Sequence, residues 1–188
     1  SFEKDLREPI HGFNQSADCL RLLSIGRLVG YKGYKYALKA LSECNFNFNY
    51  VIVGNGPLLE KLKRCCRKYS LESSVLFANS VSDAAKLAYL DWAEVFLFPS
   101  ISQSEAFGFV QIEAMMAGCH VVTTNYGALP ETCGEFATMI EFDSSVQNLI
   151  ERYAQTLNSV IDNYKNNLYK DDLEMQIKYY NKYYNKFR

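Results

Sequence analysis

The chain has 188 residues, a length that fits one domain, and its 20 Lys+Arg against 21 Asp+Glu leave a net charge of -1. That balance argues against a nucleic-acid binder and against an acidic interaction tail. With 48% hydrophobic and 22% charged residues the composition is globular, and at this size about 70% of the unfolded surface is buried without help from disulfides or a metal.

In chain order, six short apolar runs read as strands: 21–26 (RLLSIG), 50–54 (YVIVG), 75–79 (VLFAN), 94–100 (EVFLFPS), 120–124 (HVVTT) and 137–142 (ATMIEF). They are apolar on both faces, which suits a parallel sheet covered on both sides. Helical patterns fall between and after them. They are 34–44, 57–69 opening on Pro57, 82–90 capped by Ser82, 107–117 stopped by Gly118, and two longer ones at 146–164 and 168–187. The alternation predicts an α/β, Rossmann-like doubly wound parallel sheet of about six strands with helices on both faces. It reads as one domain over 1–188, with 165–188 as a C-terminal helix whose tyrosines pack on the body, a membrane-surface or partner helix being the alternative.

The six cysteines, Cys19, Cys44, Cys65, Cys66, Cys119 and Cys133, contain no C-x-x-C pair, and His11 and His120 are the only histidines. No metal site is expected, and reduced thiols in a cytoplasmic chain are. No run of 18 apolar residues is present, and the opening SFEKDLREP lacks a signal-peptide core. The basic residues Lys61, Lys63, Arg64, Arg67 and Lys68 read as a solvated helix face, with contact to anionic lipid at the inner face of a membrane, or to an acidic partner, as the alternative.

Seven of the ten glycines (Gly26, Gly30, Gly33, Gly54, Gly56, Gly108 and Gly127) follow predicted strands. In an open parallel sheet those loops share the edge where ligands bind. Each glycine serves either a tight turn or close backbone approach to a phosphate. The loop 26–33 (GRLVGYKG) carries Arg27 and Lys32, two cations that suit a diphosphate unless Arg27 is held in a structural ion pair and Lys32 is solvated. The loop after the fourth run carries Glu105, and 107–110 (FGFV) opens the next helix, whose first N–H groups favour an anion. Glu113 lies on an otherwise apolar stretch of that helix and needs a partner.

These residues, in this order, resemble the nucleotide-sugar-binding half of group 1 glycosyltransferases of the GT-B fold. The likeness rests on 9–14 (PIHGFN), 26–33 (GRLVGYKG), 51–57 (VIVGNGP), 99–118 with two glutamates at E-x₇-E spacing, and 121–131 (VVTTNYGALPE). Ala106 and Ala128 stand where the family usually has glycine. The resemblance implies that Arg27 and Lys32 hold the donor diphosphate, and that Glu105 lies at the transferred sugar. Phe107, Gly108, Phe109 and Val110 would contact sugar and phosphates through their backbone, and Glu113 the ribose. The other donor contacts implied are Gly26, Asn55 and Val81, the last within a stretch 79–82 that meets the base.

It further implies a retaining transfer from a UDP- or GDP-sugar, without metal, to a glycan, lipid or polysaccharide precursor. An N-terminal acceptor-binding half of at least ~150 residues, absent from this chain, would complete the enzyme. The chain contains no D-x-D motif. A non-catalytic nucleotide-sugar-binding subunit and an epimerase of the same fold are the alternatives.

Overall fold

All six apolar runs form strands in the computed structural model, which describes residues 19–102, 105, 108–166 and 168–184. They are β1 (Leu20–Ile25), β2 (Phe48–Val53), β3 (Val75–Ala78), β4 (Val95–Phe98), β5 (His120–Thr124) and β6 (Ala137–Ile140). Every neighbouring pair is parallel, and the order across the sheet is β3-β2-β1-β4-β5-β6. Segment 9–14 lies outside the described residues.

The helices between the strands are α1 (Tyr34–Leu41), α2 (Leu59–Lys68), α3 (Asp83–Trp92), α4 (Phe109–Met116) and α5 (Leu129–Cys133), followed by α6 (Val146–Lys165) and α7 (Lys170–Tyr184). Ser82 caps α3 as expected, its hydroxyl accepting from the Ala85 N–H at 3.2 Å. Pro57 does not open α2. The Leu58 N–H donates instead to the Leu28 carbonyl at 3.1 Å, so 56–58 form a turn against the loop after β1. Helix α4 starts at Phe109, with Gly108 as its N-cap. Lys165 closes α6 and does not belong to the last helix.

Strand alternation divides the core into two layers. Leu22, Tyr50, Ile52 and Leu97 face the layer containing α1, α2 and α6. Leu23, Val51, Val53 and Phe96 face the layer containing α3, α4, α5 and Tyr180 of α7. Full burial of each such side chain is worth about 1.5–3 kcal/mol, so truncating Leu22 or Leu23 to alanine costs about 2–5 kcal/mol.

Helix α7 returns across the second layer. The Gln176 amide nitrogen lies 3.0 Å from both the Met115 and Cys119 carbonyls. The Tyr180 hydroxyl lies 3.0 and 2.9 Å from those of Thr132 and Cys133. Tyr169 stacks on His120 at 4.1 Å between ring centroids. The terminal tyrosines with described side chains thus pack on the body, although Tyr179 stays 46% exposed.

Cys44, Cys65, Cys66, Cys119 and Cys133 are free thiols. On α2, Lys63 bonds Glu60 at 2.9 Å, while Lys61, Arg64, Arg67 and Lys68 are exposed. Among the described residues no helix is long and apolar enough to cross a membrane.

Candidate active site

Strand order reverses at β1, where β2 continues to one side and β4 to the other. Ligands of open parallel sheets bind beyond the strand ends at such a switch point. The loops after β1 and β4 meet there. Gly33 has φ +70°, and a Cβ on it would lie 1.9 Å from the Pro99 carbonyl oxygen. Only glycine allows that approach. The Ile101 N–H donates to the Tyr31 carbonyl at 2.8 Å and fastens the second loop to the first.

On this frame the Lys32 ammonium donates to Glu105 Oε1 at 2.8 Å, with side chains 11% and 14% exposed. The Ser100 hydroxyl donates to the other carboxylate oxygen at 3.0 Å. Lys32 Nζ also stands 4.5 Å from the centre of the Phe98 ring. The apolar wall lowers the local dielectric and strengthens the ion pair.

Glu113 finds its partner in Lys86 of α3, at 2.9 Å. Sequence reading passed over Lys86. The available signal was its position in the first turns of a helix, where the dipole opposes a cation unless an anion answers it.

The two pairs border one cavity of about 540 Å³, lined also by Gly26, Phe98, Gly108, Phe109 and Val110. A second cavity of about 360 Å³ is lined by Arg27, Asn55, Ser80 and Val81, and shares Ile25, Gly26 and Lys86 with the first. The structure thus brings together Gly26, Lys32, Glu105, Gly108, Phe109, Val110 and Glu113 in one lobe. It places Arg27, Asn55 and Val81 in the adjoining one. Lys32 thus lines the first lobe and Arg27 the adjoining one. Among the described residues Arg27 is exposed and makes no ion pair, so the structural role considered for it is not observed. Phe107 lies outside the described residues.

Two lysines, two carboxylates and the start of α4 thus line one cavity. Such a set of groups can hold an anion and hydrogen-bond to hydroxyl groups.

The family described as Glycosyl transferases group 1 matches residues 10–180, and the chain belongs to it. It is 32% identical over 145 residues to the Escherichia coli K12 protein named putative colanic acid biosynthesis glycosyltransferase WcaL, covering 73% of this chain and 34% of that one. It is 31% identical over 137 residues to the amylovoran biosynthesis glycosyltransferase AmsK of Erwinia amylovora, covering 69% and 32%. The chain thus spans about a third of the length of these curated relatives. Among solved structures, WaaG, a glycosyltransferase of lipopolysaccharide biosynthesis, superposes with a TM-score of 0.75 at 22% identity, over 96% of this chain and 47% of that one. Anabaena HepE in complex with UDP and glucose superposes with 0.73 at 19%, over 88% and 44%. The fold is therefore that of one Rossmann-like half of a GT-B glycosyltransferase.

Proposed function

We propose that this chain is the donor-binding domain of a retaining hexosyltransferase. In this reading the first lobe takes the sugar and diphosphate of a UDP- or GDP-sugar, and the second takes the base. The observation that carries it is the pair of ion pairs, Lys32–Glu105 and Lys86–Glu113, both lining one cavity at the switch point. HepE, of the same fold, was crystallised with UDP and glucose, which supports the choice of ligand class.

The chemistry follows from the charges. The bond between the anomeric carbon and the diphosphate oxygen breaks, and its electron pair leaves with the diphosphate. An acceptor hydroxyl attacks the same face of the anomeric carbon, and its proton passes to the departing phosphate oxygen. Lys32, assisted by Arg27, neutralises the charge gathering on that oxygen. Glu105 accepts hydrogen bonds from the sugar hydroxyls and faces the positive charge developing on the ring. Glu113 accepts from the ribose hydroxyls. A second domain, in the two-thirds of a typical relative that this chain does not span, supplies the acceptor, a glycan or lipid precursor of a surface polysaccharide.

The test is transfer from UDP-[14C]glucose and GDP-[14C]mannose by the whole polypeptide, with cell-envelope extract as acceptor. Glu105→Gln should lower turnover by about 10²-fold or more. Glu105→Gln turnover within twofold of wild type would instead mark a non-catalytic binder. Isomerised donor without transfer would mark an epimerase.

A further inference from the structure

The hydroxyl of Tyr34 has no part in the family motifs and no hydrogen bond among the described residues, although the residue is only 3% exposed. Tyr34 opens α1 directly after the Lys32–Gly33 turn. Among the described residues the fully buried side-chain polar atom without a partner is Gln111 Nε2, so the Tyr34 oxygen, unbonded within a buried residue, is itself open to solvent. A Cβ built on Gly26 would lie 2.9 Å from the Tyr34 oxygen and 3.9 Å from Lys32 Nζ, with Lys32 Cε the only other of its three nearest atoms, at 3.8 Å. Gly26 lines both lobes of the donor cavity. The missing side chain at Gly26 therefore leaves a cradle with a hydroxyl on one side and an ammonium on the other.

We infer that Tyr34 is a donor-contacting residue, whose hydroxyl donates to a diphosphate oxygen seated over Gly26 beside Lys32. This rests on the donor-site reading above. Burial, and then the nearby Glu105 carboxylate, push the ionisation of this phenol far above its ordinary range. The hydroxyl consequently stays protonated at every physiological pH and acts as a donor. An oxygen that gains charge as the glycosidic bond breaks strengthens such a bond, so the contact assists departure of the leaving group as well as binding.

The test is calorimetry on the whole polypeptide with UDP, GDP and ADP, using the matching nucleoside as control. Tyr34→Phe keeps the ring in the core and removes only the oxygen. Its melting temperature without ligand should equal or exceed that of wild type, because no native hydrogen bond is lost. Its affinity for the nucleoside diphosphate should fall about tenfold or more, and its affinity for the nucleoside should not change. Equal nucleoside diphosphate affinity in the two proteins overturns the assignment. A lowered melting temperature with affinity retained does so too, since the hydroxyl is then structural. A wild-type protein that binds none of the three overturns the donor-site reading and this inference with it. Should Tyr34→Phe fail to fold, wild-type protein labelled with ¹³C at tyrosine Cζ gives a second measurement. The bound nucleoside diphosphate, but not the nucleoside, should shift one Cζ resonance, and a spectrum in which none moves contradicts the inference.

Discussion

Replacing Gly33 by alanine tests how the fold makes the site. The new Cβ would lie 1.9 Å from the Pro99 carbonyl oxygen, where ordinary contact begins near 3.4 Å, so the two loops must part by roughly 1.5 Å. The residue also has φ +70°, where a Cβ costs about 1–2 kcal/mol. Strain and lost packing together should lower stability by about 3 kcal/mol. A separation of that size stretches the 2.8 Å Lys32–Glu105 contact beyond hydrogen-bonding range. Misplacement by about 1 Å is enough to cost 10²-fold in rate, so turnover should fall at least that far. Urea unfolding measures the first effect, and transfer by the whole polypeptide the second. A Gly33→Ala protein with a wild-type urea midpoint and turnover within twofold of wild type would refute the claim that this close approach assembles the site.

Other consequences follow from the same geometry. Lys86→Met should weaken nucleoside diphosphate binding at least about fivefold, yet move stability by no more than about 1 kcal/mol, because the Lys86–Glu113 pair is a quarter to a third exposed and solvent screens it; unchanged binding by calorimetry would remove Lys86 from the site. Burial pulls the pKa of His120 from 6.5 to about 4. The unfolded chain therefore takes up this proton first as pH falls, and stability complete above about pH 6.5 is lost progressively down to about pH 4, by about 3 kcal/mol in all. Urea midpoints at pH 7 and 5 should differ in wild type and less so in His120→Asn; equal differences in both proteins would exclude His120 as the cause. Transfer should survive excess EDTA within twofold, and a loss restored by Mg²⁺ or Mn²⁺ would show that a metal takes part.

Much of this was legible from residue types. The strands stood out because each is apolar on both faces, and a parallel sheet covered by helices buries both. The E-x₇-E spacing and the glycine-flanked Arg27 and Lys32 marked one edge of that sheet as the site. Tertiary contacts decided what local pattern could not. Pro57 suits a first helical position, but the Leu58 N–H is claimed by the Leu28 carbonyl and the helix starts later, at Leu59. Helix α5 has only five residues, too few for a helical period to show. Lys86 gave only the faint signal of a cation in the first turns of a helix, and Tyr34 gave none, because a tyrosine at a helix start is an ordinary feature. Only the fold brings the first to Glu113 and the second beneath Gly26.

The central claim is that one nucleotide-sugar lies between the two ion pairs. A crystal structure of the chain grown with the nucleoside diphosphate that binds it tests this most directly. Its diphosphate should rest over Gly26 within hydrogen-bonding distance of Lys32, with the ribose hydroxyls on Glu113. A nucleotide bound elsewhere, with both ion pairs and the cavity between them untouched, would contradict the account.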